Sequence, residues 1–129
     1  MGAIGLKVMF GSNKLFEVTI NQKKIKLSNE KEEEIKETVL QELNTKSEVD
    51  LMLTNDDIKN MKKNGLFIIC KYTKEKSINI LGTDKKQNIN SWMVVSNSKQ
   101  NYIIAVIDKK TYIFNLSKKK QEELLTLIE

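Results

Sequence analysis

The chain has 129 residues, with 22 basic and 17 acidic side chains and a net charge of +5 at neutral pH. It contains no His, Arg or Pro and one Cys, so every basic side chain is a Lys. This inventory excludes Ser-His and Cys-His nucleophile pairs, His-ligated metal sites, cysteine clusters and bidentate guanidinium contacts. The length and the 40% hydrophobic content are typical of one globular domain, which we take to span residues 1–129.

The first part of the chain alternates apolar and polar residues at the period of a β-strand. The pattern predicts a three-stranded antiparallel meander, with strands over residues 4–10, 16–20 and 25–27 and a tight turn at Asn21-Gln22. A first helix should start at Ser28 or Asn29, because Asn29 followed by Glu32 fits a capping box. Its apolar face should end near Asn44.

A second, shorter helix is indicated by Thr54 and Asp57, which have the spacing of a helix N-cap pair. This helix should carry Ile58 and Met61 inward, after a short extended segment over residues 49–53. Asn64-Gly65 predicts a left-handed stop at the end of the helix.

The pattern returns to β after Gly65. Apolar or alternating runs predict strands at 66–72, 78–80, 92–95, 102–107 and 111–116, and the polar stretch 82–90 predicts a long loop. Ser117 should cap a last helix with Leu124, Leu125 and Ile128 facing the core.

Together these elements predict an α+β fold built on an antiparallel sheet. Its order is an N-terminal β-meander, two central helices, a C-terminal β-meander and a C-terminal helix. The helices should lie on one side or at the ends of the sheet. The expected variant is a half-barrel closed by the last helix.

Two stretches of the chain resemble each other. Residues 18–35 and 105–124 both read as strand, Lys-rich turn, strand, Ser cap and amphipathic helix, with an offset of two residues between them. A shared ββα unit is one explanation, and chance agreement of common turn and cap chemistry is the other.

The candidate binding residues are Lys118, Lys119 and Lys120, in the first turn of the predicted last helix. The helix dipole disfavours cations at this position. The three ammonium groups, together with the free backbone N–H groups of the helix start, would suit a bound anion. The alternative is that these lysines are solvated and are offset by Glu122 and Glu123 one turn later.

The other candidate functional residues have simpler structural explanations. Cys70 lies in an apolar run, which predicts a small buried hydrophobe rather than a reactive thiol. Asp56 and Asp57 fit a helix start, so no metal site, no cofactor and no catalytic residue is predicted. Charge is uneven: residues 30–65 carry six Lys and ten acids, whereas residues 66–129 carry eleven Lys and six acids.

The sequence therefore does not state a function. The strands at 66–72 and 102–107 are apolar on both sides, and three short helices would leave surface for a partner chain or an apolar ligand. A non-catalytic interaction module, with a protein partner or as a homo-oligomer, is the leading hypothesis. The alternative is an anion-binding or small-ligand domain; an enzyme and a nucleic-acid binder are less favoured. No segment has the length of a transmembrane helix, which predicts a cytoplasmic chain unless a signal or anchor has been removed.

Overall fold

The computed structural model describes residues 15–44, 49, 51–79 and 86–128 of the chain. Within them the structure has six strands and three helices. In chain order these are β1 (Phe16–Ile20), β2 (Lys23–Ile25), α1 (Asn29–Leu43), α2 (Asn55–Lys63), β3 (Leu66–Asn79), β4 (Lys86–Ser96), β5 (Asn101–Ile107), β6 (Lys110–Asn115) and α3 (Lys118–Ile128). The strand predicted over residues 4–10 lies outside the described residues.

The six strands form one open antiparallel sheet in the order β2-β1-β3-β4-β5-β6. The α+β prediction is therefore confirmed. The sheet is open and does not close into a barrel, because β2 and β6 lie at opposite edges and do not pair. Helices cover both faces of this sheet, so it has no single concave interior around which to close.

The core is divided between the two faces of the sheet, and this corrects the expected placement of the helices on one side. On one face, α1 and α3 cover strand residues such as Ile68, Trp92 and Phe114. On the other face, α2 covers a smaller cluster that includes Phe67 and Met93. Successive strand residues point to opposite faces, so a strand that is apolar at every position needs cover on both.

Strand β3 is longer than its apolar run. It continues from Leu66 through Ile78 with a register shift between Lys71 and Lys76, so the separate strand predicted at 78–80 is instead part of β3 as far as Asn79. Residues 86–90 of the predicted loop belong to β4, and residues 80–85 lie outside the described part. Most residues at this outer end of the β3–β4 hairpin are polar and exposed, and only Ile78 and Ile89 contact the main core, so the sequence resembles a loop.

Two tight turns join neighbouring strands with the same geometry. Asn21 and Gln22 have φ of 49° and 72°, and Asp108 and Lys109 have φ of 49° and 68°. Positive φ at both central residues is the pattern of a type I′ hairpin turn, whose twist matches that of the strands it joins. The predicted turns are confirmed at both places.

Each of these hairpins leads into a helix on the same face of the sheet. Ser28 caps α1 and accepts a hydrogen bond from the Lys31 N–H at 3.3 Å, and Ser117 accepts one from the Lys120 N–H at 3.2 Å. The likeness between the two stretches therefore holds in three dimensions. The capping box expected from Asn29 is wrong, since Ser28 fills the cap position.

The end of α2 departs from the prediction. Thr54 and Asp57 form the predicted capping box, but Asn64 has φ of −120° and is not left-handed. The structure needs Gly65 for a different reason. A Cβ atom at this position would collide with the backbone carbonyl of Ser96, so the close approach of the α2–β3 connection to β4 requires glycine.

Both edges of the sheet are short or covered. β2 has three residues, and the carbonyl of Ile113 on β6 accepts a hydrogen bond from the Val49 N–H at 2.9 Å. Short or blocked edges discourage pairing with another strand. Among the described residues, no helix has the length and apolar character needed to cross a bilayer.

Candidate functional site

Helices α1 and α3 lie side by side, with the end of α1 against the start of α3. The Glu42 carboxylate accepts a hydrogen bond from the Ser117 N–H at 2.7 Å, and Lys120 Nζ donates to Gln41 Oε1 at 3.3 Å. The two helices therefore run antiparallel. Glu42 is 6% exposed, and its negative charge lies at the N-terminal end of α3, where the helix dipole favours it.

Sequence reasoning did not identify Glu42. The signal was present, because Glu42 falls between Val39 and Leu43 on the apolar face of α1 and both of these are buried. A carboxylate on a buried helical face requires a partner, since an unpaired buried charge is costly. The partner itself is 75 residues away in the chain and could not be read from local pattern.

A groove of about 560 Å³ runs along the solvent side of the α1–α3 pair. On α1 it is lined by Glu34, Glu37, Thr38 and Gln41, which recur at the spacing of one helical face. This stripe extends over about 10 Å of helix at 1.5 Å per residue.

The α3 side of the groove has the same spacing. It is lined by Lys119, Glu122, Glu123, Thr126 and Leu127, and most of the exposed lining of the groove is apolar. The groove thus combines exposed apolar surface with carboxylates on both of its rims, which are the helices α1 and α3. A concave surface of this kind is the usual form of a site for an amphipathic partner.

The charge of the groove is only partly balanced within the chain. Lys119 is the cation among the lining residues, and Lys120, which does not line the groove, pairs through its Nζ with Glu123 Oε2 at 3.2 Å. Glu34, Glu37 and Glu122 make no ion pair with any residue that the structure describes. The groove is therefore negative, although the chain as a whole carries a net charge of +5.

The three lysines that the sequence singled out lie in different settings. Lys118 and Lys119 are exposed, and Lys119 faces the groove, whereas Lys120 is partly buried and bonded to Gln41 and Glu123. At the same helix start, the Glu42 carboxylate already accepts the Ser117 N–H. The structure therefore does not gather the three ammonium groups around one point.

A second polar cluster lies inside the main core. Trp92 Nε1 donates to the Tyr72 hydroxyl at 3.0 Å, and Cys70 is 1% exposed beside them. Burial raises the pKa of the Cys70 thiol to about 11 and raises that of Tyr72 still further, with the Cys70 thiol adding to the effect on Tyr72. These groups are neutral at physiological pH, so the predicted structural role of Cys70 agrees with its burial.

The described residues contain no group of three or more acidic or sulfur ligands placed to hold a metal ion. A scan of family models finds no match to the chain, and comparisons with curated proteins and with solved structures find no significant similarity. The geometry of the α1–α3 groove is therefore the main guide to function.

Proposed function

We propose that this protein is a non-catalytic interaction module that binds a positively charged segment of a partner protein in the α1–α3 groove. The observation that carries the proposal is a groove whose lining combines exposed apolar surface with carboxylates from both helices. A Lys- or Arg-bearing segment with apolar side chains complements both features.

The support for a partner now comes from the groove and no longer from the sequence pattern. The argument from that pattern rested on apolar strand faces left bare, but Phe67, Ile69, Met93 and Ile104 are buried in the cluster under α2. Apolar strand surface therefore supports no partner here. The support comes from three carboxylates without a described ion partner, beside accessible apolar surface.

The test is a binding titration with a fluorescein-labelled amphipathic peptide of Leu and Lys, followed by fluorescence anisotropy. Binding should weaken at least about tenfold in the double variant Glu37→Lys, Glu122→Lys, which reverses one charge on each rim. The matched control is Glu33→Lys on the same helix. Glu33 pairs with Lys36 at 3.3 Å and does not line the groove, so this variant should bind within about twofold of the native chain.

Equal binding by all three proteins would place the peptide elsewhere and refute the groove as the site. A native mass spectrum of the unliganded protein adds an independent check. If it shows a homodimer that the double variant cannot form, the partner is a second copy of this chain.

An anion-binding role for Lys118, Lys119 and Lys120 remains the alternative proposal. It is favoured by the exposure of Lys118 and Lys119, neither of which pairs with a described residue. It predicts that inorganic phosphate raises the melting temperature of the native protein and that Lys119→Glu abolishes the effect. Unchanged stabilisation in Lys119→Glu would refute it.

A further inference from the structure

We infer that the segment bound in the groove is an α-helix carrying Lys or Arg on both flanks of one apolar stripe. This inference rests on the proposed function and specifies the shape and charge pattern of the partner. Three observations carry it: the hydrogen bonding of the groove walls, the length of the groove, and the distribution of carboxylates between the two rims.

The walls of the groove are two helices, and this limits the backbone conformation that a bound partner segment can adopt. Residues 34–41 lie inside α1 and residues 121–124 lie inside α3, where backbone N–H and C=O groups bond to one another. An extended peptide in the groove would find no backbone partners for its own amide groups. A helical segment satisfies its backbone internally, so it can bury its apolar side against the apolar surface of the groove without that loss.

The dimensions suit a short helix. The α1 stripe from Glu34 to Gln41 spans about 10 Å, which is roughly two helical turns. Two turns of a partner helix place anchor side chains at positions i, i+3 or i+4, and i+7 on one face. Leu127 and the methyl groups of Thr38 and Thr126 are the apolar surface that such anchors would contact.

The carboxylates of the groove come from both helices. Glu34 and Glu37 belong to α1, and Glu122 and Glu123 belong to α3. A helix lying along the groove faces one rim with each flank, so basic residues on a single flank would leave the carboxylates of the other rim unmatched. The arrangement therefore favours a helix with basic residues on both flanks.

The experiment compares three labelled peptides of identical composition: one with Lys on both flanks of a Leu stripe, one with Lys on a single flank, and one scrambled to remove helical periodicity. The two-flank peptide should bind about tenfold more tightly than the single-flank peptide, and the scrambled peptide should bind weakest. Glu34→Gln and Glu122→Gln should each weaken the two-flank peptide about threefold. The single-flank peptide should respond to only one of the two substitutions.

The outcomes separate the inference from the proposed function. If the scrambled or single-flank peptide binds as tightly as the two-flank peptide, and both rim variants still weaken binding, the groove is the site but the helix inference is wrong. If no peptide binds, or if neither rim variant changes binding, the proposed function fails together with the inference.

Discussion

The Glu42 carboxylate accepts a hydrogen bond from the Ser117 backbone N–H, and this contact joins the end of α1 to the start of α3. Glu42 is buried, so water replaces this contact only if the two helices separate. The groove lies between the same two helices, which the Lys120–Gln41 hydrogen bond and the shared core also hold side by side.

Replacing Glu42 with Ala should therefore lower the free energy of unfolding by about 2 kcal/mol, since the Ser117 N–H loses its acceptor and a small cavity forms. Urea denaturation measures the change. The control is Glu33→Ala, which removes an exposed carboxylate from the same helix and should change stability by no more than about 0.5 kcal/mol. Equal effects of the two substitutions would mean that the Glu42 contact contributes nothing beyond an ordinary surface position.

Replacing Gly65 with Ala should lower the free energy of unfolding by at least about 2 kcal/mol. The added Cβ would meet the Ser96 carbonyl, which belongs to the backbone of a central strand and cannot move freely. Asn64→Ala is the control, because Asn64 is exposed and its φ of −120° suits alanine. A Gly65→Ala protein as stable as the Asn64→Ala protein would contradict the close approach of the two backbones.

The hairpin turns predict a stabilising substitution. Lys109 has φ of 68°, a conformation that costs energy for any residue except glycine, so Lys109→Gly should raise stability by roughly 0.5 kcal/mol. Gln22→Gly should do the same in the first hairpin, because φ of Gln22 is 72°. In thermal unfolding, each variant should have a melting temperature roughly 2 °C above that of the native protein.

The matched control for these variants is Lys99→Gly. Lys99 also lies in a turn, but it is not among the described residues with positive φ. Glycine there only adds freedom to the unfolded chain, so stability should fall by about 0.5 kcal/mol. The same Lys-to-Gly change is thus expected to lower stability at position 99 and to raise it at position 109. Changes of the same sign at both positions would contradict the turn geometry.

Stability should fall at alkaline pH because of the buried thiol. Burial raises the pKa of Cys70 from its ordinary value of 9.0 to about 11. Between pH 9 and pH 11 the thiol of the unfolded chain therefore loses a proton that the folded chain keeps. The free energy of unfolding therefore decreases as pH rises from 9 to 11, by up to roughly 2–3 kcal/mol.

Cys70→Ala isolates this contribution. The variant should be less stable than the native protein at neutral pH, because it loses buried volume, and the difference should shrink as pH rises through 11. Urea denaturation at successive pH values measures both proteins. A constant difference across this range would show that the thiol does not titrate with a raised pKa. The raised pKa of Tyr72 adds its own loss of stability above pH 10 in both proteins.

Much of the fold could be predicted because it depends on neighbours in the chain. The turn at Asn21-Gln22, the Thr54–Asp57 capping box and the Ser117 cap are satisfied within a few residues, so composition and spacing indicate them directly. The burial of Cys70 follows in the same way from its apolar run.

The candidate site was not predictable in this way. Glu34 and Glu37 read as ordinary charged residues near a helix start, and only the packing of α1 against α3 places them opposite Glu122. Lys118, Lys119 and Lys120 attracted attention by their number, but Lys120 is committed to Gln41 and Glu123. A local sequence pattern shows the charge and the periodicity of a segment, but it does not show which distant helix or strand packs beside that segment.

The sequence by itself determined the α+β class, most of the helices and strands, both hairpin turns and the chemical exclusions that follow from the absence of His and Arg. The tertiary structure decided which face of the sheet each helix covers, why Gly65 must be glycine, where the charge of Glu42 is satisfied, and that an acidic groove lies between α1 and α3. The division follows from the range of the interactions. Turns and caps are closed within a few residues, whereas faces, close approaches and grooves arise only when segments far apart in the chain pack together.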